Sequence, residues 1–472
     1  MTNLILFLRR HGTSLAERLD RDAAFGRILL YAAAAALAIA YVAIFFPYIP
    51  TADGDYRWMF AEWKVAGNRG GYPQLFVVAK GVTVLQTLTL WLFGRTFPFT
   101  LVQCFLAFLA VYGCIALAAQ DRMKRSTRML LWLVICNVPT FGVFFAVTTD
   151  SVWTFIGMVA LAVVLLRHFS CNRALTFVLA VLAALCLFAS RVNALALVPV
   201  LVAAPFLAGW RAPAPSAIAG TLIGLVAALM LPGQIVTTRP ANPLALGMGW
   251  EILQVAKATG DRRIALELRY AGDPARAIAM VKPEALNNVF WDRSPPLSVA
   301  RIVAPENKSR MNALFLDMVK TQPLAYARNK AGMWLRILGI TGPLMPAGYG
   351  FDIARTATRP TEGKVTVLNK AMFAALWVIG SSLPLLASRP WILLLGGLLF
   401  VARQRRRGHH RQAGLIVLLA LGYYCSFLVS AQAMEFRYFA PSYLVLFCVL
   451  LVEGILWLRS GRTPWRKVAP SL

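Results

Sequence analysis

Charged residues are scarce in this chain: only 14% of its 472 residues are Asp, Glu, Lys or Arg, whereas 59% are hydrophobic. About a quarter of a typical soluble domain is charged, so this composition excludes an ordinary soluble protein and favours a membrane protein. Apolar runs of about 20 residues recur along the chain, and each is long enough to cross a bilayer as a helix. Patterns of alternating polar and apolar residues, which strands need, are scarce. We therefore expect an all-α, polytopic bundle of about 11 to 13 transmembrane spans, with amphipathic helices and a helical loop region at the outer face.

Cysteine and histidine are also few, at seven and four residues. Six of the cysteines fall in apolar runs and Cys171 lies in a short basic loop, a distribution that disfavours a disulfide framework or a CxxC metal site. The net charge of +28 comes mostly from Lys and Arg in short loops between the apolar runs, which is typical of cytoplasmic loops. The spacings of common nucleic-acid-binding motifs are missing, so we expect no nucleic-acid partner.

The distribution of polar residues divides the chain into four sections. Residues 1–27, with five arginines, are predicted to form a cytoplasmic amphipathic lead-in that is retained in the mature protein. Residues 28–236 form a transmembrane core whose first outer loop covers 51–98. Residues 237–370 are an extended polar region at the outer face, predicted to be helical with room for one span. Residues 371–472 hold the C-terminal spans and a basic tail.

Two stretches leave alternatives open. Residues 74–93 are apolar but contain Lys80, Gln86 and several threonines. They form either a span or a helix lying at the outer interface, and the second interpretation keeps the basic loop 121–128 in the cytoplasm. Segments 331–347 and 370–388 are either two spans or outer-face helices on either side of one span.

Alternation of the remaining spans brings ionisable residues to one membrane surface, each within a few residues of a span end. These residues are Asp53, Asp55, Asp150, Arg191, Glu435 and Arg437. An ionisable group at membrane depth is more often functional than incidental. Transfer of a sugar from a lipid phosphate needs a carboxylate to take the proton of the acceptor hydroxyl, and cations to hold the phosphate as its charge grows. The predicted set supplies both kinds of group.

The same positions resemble the GT-C superfamily of integral-membrane glycosyltransferases, which use polyprenyl-phosphate sugars. The resemblance covers about residues 28–210 and 413–458. It rests on these motifs: Asp53-Gly-Asp55-Tyr56 after the first span, Tyr72-Pro73-Gln-Leu75, Thr149-Asp150 eleven residues after Pro139, Ala189-Ser-Arg191-Val-Asn193, and Glu435-Phe-Arg437-Tyr438-Phe before the last span.

The resemblance implies a role for each motif. Either Asp53 or Asp55 would be the catalytic base, and Asp150 would be a second outer carboxylate that orients the base or the acceptor. The lipid phosphate would be held by residues near the last two motifs, namely Arg191, Arg437, Glu435 and Tyr438. The chain departs from the family in having Tyr72-Pro73 where a Pro-Pro pair is common, and Arg191 where a Lys is common. It also lacks the Asp-Glu pair of the protein mannosyltransferases.

Each candidate also has a purely structural interpretation. Asp53 and Asp55 suit a turn after a span, Asp150 suits a helix N-cap, and Arg437 suits an ion pair with Glu435. Three aromatic residues are candidates for stacking on the sugar or acceptor, although an aromatic belt at the interface explains them equally well. They are Tyr56, Trp58 and Tyr72.

The sequence therefore predicts a multi-pass glycosyltransferase, a hexosyl- or pentosyltransferase, of the inner (plasma) membrane with its site on the periplasmic face. Its partners would be a polyprenyl-phosphate sugar donor and a glycan, lipid or protein acceptor of the cell envelope. Whether a divalent cation, Mg²⁺ or Mn²⁺, binds to the carboxylates stays open. The alternatives are a transporter or flippase, and a polysaccharide polymerase or ligase. Against a transporter, the ionisable residues sit at span ends and no internal repeat is evident.

Overall fold

A computed structural model describes residues 14–45, 52–67, 80–137, 149–166, 172–208, 214–236, 242, 244–282, 287–290, 294–342, 367, 371, 389–407, 411–430 and 436–459. Apart from one isolated bridge between Gly272 and Leu297, the regular structure of these residues is helical. The prediction of an all-α fold is confirmed for this part of the chain.

The helices fall into three groups along the sequence. The first group is α1 (Ala23–Phe45), α2 (Ala52–Val65), α3 (Lys80–Phe93), α4 (Phe97–Ala119), α5 (Arg125–Cys136), α6 (Thr149–Leu166), α7 (Arg173–Ser190), α8 (Leu197–Ala208) and α9 (Pro215–Ile235). The second group is α10 (Leu244–Thr259), α11 (Arg263–Leu266), α12 (Pro274–Met280), α13 (Asn287–Phe290), α14 (Val299–Ile302), α15 (Lys308–Thr321) and α16 (Pro323–Ile337). The third is α17 (Pro390–Arg407), α18 (Arg411–Ser430) and α19 (Phe436–Arg459).

Helices long and apolar enough to cross a membrane come from the first and third groups. Within the described residues there are five of them: Ala23–Ala43, Phe97–Arg122, Arg173–Ser190, Pro215–Ile235 and Tyr438–Arg459. Four shorter apolar helices accompany them, over Asp150–Leu166, Asn193–Ala203, Pro390–Gln404 and Ala413–Leu428. The chain therefore has the helices of a membrane protein, whereas the predicted total of about 11 to 13 spans stays a prediction.

Side-chain contacts define one end of the bundle, which we call the Arg122 end. Arg122, directly after α4, forms an ion pair with Glu453 near the end of α19. Asp20, ahead of α1, accepts hydrogen bonds from the backbone N–H and the hydroxyl of Ser126, at 2.9 and 3.0 Å. The start of α5 and the segment leading into α1 therefore lie at the same end as the last turns of α4 and α19.

The opposite end, which we call the Asp150 end, holds the start of α6 and the end of α7, because Asp150 binds Arg191 there. The rings of Trp58 and Phe99 lie 5.6 Å apart in an edge-to-face arrangement, which brings α2 onto the first turn of α4. Tyr438, at the start of α19, lies beside Arg191. This end is thus assembled from segments far apart in the sequence.

Helix α3 lies along the Asp150 end. A Cβ at Gly81, in its first turn, would come within 2.3 Å of the Cβ of Ala189 near the end of α7. The last residue of α3 is Phe93, and α4 begins at the same end of the bundle four residues later. Both termini of α3 therefore lie near the Asp150 end. Residues 74–79 lie outside the described ones, so the choice between an interface helix and a span over 74–93 stays a prediction.

Helices α7 and α9 pack closely against each other, and small residues make this possible. A Cβ added at Gly220 would lie 2.5 Å from the carbonyl oxygen of Phe177, and one at Gly224 would lie 2.5 Å from that of Val181. Because both contacts advance along the two helices in the same direction, α7 and α9 run parallel. This is the small-xxx-small packing by which membrane helices approach closely.

The second group of helices forms a polar unit in which Trp250, Phe290, Ile302 and Met311 are buried. Its last helix joins the bundle at the Asp150 end. The indole N–H of Trp334 donates to the carbonyl of Leu428 (2.5 Å), and Tyr424 donates to the carbonyl of Ile337 (2.5 Å). The described part of segment 331–347 thus continues a helix of this unit, while 370–388, apart from residue 371, lies outside the described residues.

Candidate functional site

The segment after the first span is helical, where the sequence suggested a polar loop. Helix α2 begins at Ala52, so Asp53 and Asp55 occupy its first turn. Its apolar residues Trp58, Phe60 and Ala61 are buried. Trp58 and Ala61, three residues apart, lie on one side of α2 and join the main core, whereas Phe60 packs with Val236 on another side. Burial on both sides overrides the turn tendency of Asp and Gly. The side chains of Asp53, Asp55 and Tyr56 lie outside what the structure describes.

Burial of α2 carries Arg57 into the Asp150 end of the bundle. The Arg57 side chain is only 2% exposed, and its Nη2 lies 3.8 Å from Oδ1 of Asp150. Arg57 was not predicted as a site residue, because the sequence does not predict which way a residue in a loop faces. Arg57 lies four residues after Asp53, so assigning the segment to a helix would have predicted both residues on the same side of it.

Asp150 is the residue at which the charges of this end meet. Its Oδ2 accepts hydrogen bonds from Nε and Nη2 of Arg191 at 2.8 and 2.7 Å, so both nitrogens of one guanidinium edge contact the same oxygen. Its Oδ1 accepts from the backbone N–H of Ser151 at 3.0 Å. Both side chains are mostly buried, with 13% of Asp150 and 10% of Arg191 exposed.

Local structure explains why these two residues meet. Asp150 lies in the first turn of α6, where the helix dipole favours a carboxylate, and it lies inside the helix rather than at the predicted N-cap. Arg191 is extended, with φ −149° and ψ 138°, directly after α7 ends at Ser190. Because α6 and α7 run antiparallel, with Gly157 packed on Leu187, the start of one helix faces the end of the other.

Aromatic side chains of the last two helices enclose Arg191. Its Cζ lies 5.1 Å from the ring centroid of Tyr438 and 5.9 Å from that of Phe427. The two rings stack on each other at 4.8 Å with an angle of 20°. Tyr423, one turn before Phe427, is fully buried and has Arg191, Asp150 and Thr154 as electrostatic or hydrogen-bonding neighbours. Tyr423 and Phe427 were not selected from the sequence, where they are two more aromatics in an apolar run.

The other predicted site residues have different outcomes. Trp58 is 1% exposed and packs on Phe99, so its ring has no open face for a sugar. Arg437 is in the first turn of α19, but its side chain is outside what the structure describes. Tyr72 and Glu435 lie outside the described residues altogether.

The described residues contain no group of three or more His, Cys, Asp or Glu side chains able to hold a metal ion. The side chains of Asp53 and Asp55 lie outside what the structure describes, so the choice between a metal-dependent and a metal-free site stays open.

The arrangement is suited to holding an anion at the Asp150 end of the bundle. Arginine presents a planar fork of donors that fits phosphate oxygens, and a carboxylate that fixes the guanidinium reduces the ordering needed when a ligand arrives. Asp150 positions an arginine from α2 and another from the end of α7 around one point. No model of a protein family, curated protein or solved structure matches the chain.

Proposed function

We propose that the protein is a membrane glycosyltransferase that moves a sugar from a polyprenyl phosphate to a glycolipid, polysaccharide or protein hydroxyl. The reaction would take place at the Asp150 end, on the periplasmic side of the inner membrane. The basic segments at the Arg122 end support this orientation, because Lys and Arg concentrate in cytoplasmic loops.

One observation carries the proposal: Asp150 is in contact with both Arg57 and Arg191, nearly buried, at the end where α2 begins with two more acidic residues. Cleavage of a sugar–phosphate bond leaves growing negative charge on the phosphate, and preorganised guanidinium groups stabilise that charge most where water is excluded. A polyprenyl chain keeps its phosphate at this depth.

Each residue then has a defined role in the proposed reaction. Asp53 or Asp55 takes the proton of the acceptor hydroxyl as it attacks the anomeric carbon, and the polyprenyl phosphate leaves with the bonding electron pair. Arg57 and Arg191 hold the leaving phosphate, with Arg437 as a third cation. Asp150 is a positioning residue, because its carboxylate is in contact with both arginines. Tyr438 and Phe427 fix the plane of the Arg191 guanidinium.

A transfer assay with purified protein in nanodiscs tests this proposal. The donors are a panel of radiolabelled polyprenyl-phosphate hexoses and pentoses, and the acceptors are total envelope lipid and glycan. Wild type is expected to transfer label from one donor. Of the variants Asp53→Asn and Asp55→Asn, one should lose at least 100-fold in rate while keeping its thermal stability. Full activity in the double variant would eliminate the scheme.

The same assay separates the alternatives. Label that crosses the membrane of a proteoliposome without being transferred would indicate a flippase. Transfer only from pyrophosphate-linked oligosaccharides would indicate a polymerase or ligase.

A further inference from the structure

Helix α16 turns an apolar side away from the rest of the protein. Its inner side includes Met333 and Ile337, which are buried, and the charged Lys330, which pairs with Glu251 of α10. Its outer side consists of six exposed residues with helical spacing, which we call the α16 arc: Leu324, Ala327, Arg328, Ala331, Trp334 and Leu335. All but one of them are apolar. A helix of a soluble unit has the opposite arrangement, with its charged side in water.

The α16 arc is not covered by any of the described residues. Leu324 is 84% exposed, and Trp334 and Leu335 are 44% and 40% exposed. The arc extends over most of the helix, about 16 Å from Leu324 to Leu335. Single apolar residues are common on protein surfaces, but a continuous apolar strip marks a surface that contacts something other than water.

The C-terminal end of α16 lies where the apolar helices α17 and α18 have their ends. The indole N–H of Trp334 donates to the carbonyl of Leu428, near the end of α18. At the start of α17, the backbone N–H of Trp391 donates to the carbonyl of Leu338 at 3.0 Å. Trp391 is 41% exposed, much like Trp334. Half-exposed tryptophans at the ends of apolar helices are typical of the boundary between bilayer and water, so the arc begins at this boundary.

The charges of α16 favour phospholipid as the contact. The helix has three cations, Arg328, Lys330 and Arg336, and no carboxylate. Arg328 lies within the arc, where its aliphatic stem covers apolar surface while its guanidinium reaches a lipid phosphate. A face of leucine and tryptophan together with basic residues is the composition of helices that lie in the plane of a membrane surface.

We infer that α16 lies flat on the bilayer at the Asp150 end, with its arc between the phospholipid headgroups and the first part of the acyl chains. The polar unit is then held against the lipid surface instead of projecting into water. This assignment concerns a docking surface and does not depend on the proposed reaction.

Photo-crosslinking of the full-length protein in nanodiscs of phosphatidylethanolamine and phosphatidylglycerol tests the inference. The variants Leu324→p-benzoylphenylalanine, Ala331→p-benzoylphenylalanine and Leu335→p-benzoylphenylalanine each place a photoreactive group in the arc. These positions are exposed, so the protein is expected to fold with the larger side chain. After illumination, mass spectrometry identifies the molecule that the group has joined. Each of the three variants is expected to form adducts with phospholipid.

Leu266 supplies a matched control, because it is an exposed leucine of the same unit, 43% accessible. It directly precedes Glu267, which pairs with Arg310 in the first turn of α15, whereas α16 follows the other end of α15. Leu266→p-benzoylphenylalanine should therefore form no phospholipid adduct. Equal lipid labelling at Leu266 would overturn the inference, because the arc would then not differ from the rest of the surface of the unit.

Other results would overturn the inference as well. Lipid adducts at Leu335 alone would show that α16 stands upright on the membrane. Adducts between the arc and this chain, for example residues 343–366, which lie outside the described ones, would show that protein covers the arc. Absence of adducts at all three positions would show that the arc faces water. Transfer activity plays no part in these measurements, so their outcome is separate from that of the proposed function.

Discussion

At the scale of single residues, the account depends on the Asp150 carboxylate. Removing one member of a buried ion pair leaves the other charge poorly compensated, and this typically costs about 3–5 kcal/mol. An exposed pair contributes only about 0–1 kcal/mol. The chain offers both situations, because the Arg310–Glu267 pair of the polar unit is exposed, with 43% and 45% of the two side chains accessible.

Asp150→Asn should therefore lower the free energy of unfolding by about 3 kcal/mol or more, as measured by thermal or denaturant unfolding in detergent. The matched control Glu267→Gln should lower it by about 1 kcal/mol or less. Equal losses in the two variants would mean that Asp150 and Arg191 are not the buried pair described above.

Glu251 gives a prediction for pH dependence. Burial raises the pKa of this carboxyl above its usual 4.5, against the lowering effect of Lys330. A raised pKa in the folded state means that the folded protein holds the proton more tightly than the unfolded chain. The stability contributed by Glu251 is then fully present below pH 4.5 and is lost as pH rises through the raised pKa. Glu251→Gln should flatten this part of the stability–pH curve, and an unchanged curve would show that Glu251 titrates normally.

At the scale of helices, the pair α7 and α9 depends on two glycines. Since a Cβ at Gly224 would lie 2.5 Å from the carbonyl oxygen of Val181 and 2.8 Å from the Cβ of Ala184, any larger residue must push the helices apart. The site residue Arg191 directly follows α7, so displacement of this helix should also disturb its contact with Asp150.

Gly224→Leu is accordingly expected to destabilise the protein by about 1–3 kcal/mol through overpacking and to reduce transfer activity. Gly233 is the control, because a Cβ there meets nothing within 4 Å. Gly233→Leu should leave both unfolding and activity near the wild-type values. Similar effects from the two variants would argue against close packing at Gly224.

Helix limits were predictable where apolar runs have clear borders. The prediction of 174–189 corresponds to α7 at Arg173–Ser190, and 216–236 corresponds to α9 at Pro215–Ile235. The first span was predicted at 28–50, whereas α1 covers Ala23–Phe45. Hydropathy alone does not detect where α1 begins. Asp22 accepts hydrogen bonds from the N–H groups of Ala24 and Phe25 and caps the helix, which therefore begins before the apolar run.

The site was predictable only in part, for a physical reason. Alternation of spans places Asp150 and Arg191 at the same end, and the structure brings these two into contact. Arg57 was missed because its position depends on which face of α2 is buried, and this is settled by packing on α3 and on Phe99 of α4 rather than by local sequence. The same holds for Trp58, which looked like a sugar-stacking residue but faces the protein interior.

At the scale of the whole molecule, the two bundle ends differ in chemistry. The Arg122 end carries the basic segment 121–128, and the Asp150 end carries the acidic helix α2 and the polar unit of α10–α16. The proposal requires the Asp150 end to face the periplasm. Lys124 and Lys308 are exposed residues that report on the two sides.

Labelling of Lys124→Cys and Lys308→Cys with a charged, membrane-impermeant maleimide in spheroplasts tests this orientation. Lys308→Cys should react in intact spheroplasts, and Lys124→Cys only after permeabilisation, with the unsubstituted protein as the background control. The reverse pattern would place the site in the cytoplasm.

Binding of polyprenyl phosphate in nanodiscs, with the matching polyprenol as the uncharged control, tests whether Asp150 joins Arg57 and Arg191 into one site for a lipid phosphate. The phosphate should bind, and the alcohol should bind at least tenfold more weakly. Arg57→Gln and Arg191→Gln should each weaken phosphate binding by about tenfold or more, the effect of one charge-assisted hydrogen bond. Equal binding of phosphate and alcohol, or undiminished phosphate binding in both variants, would rule out such a site.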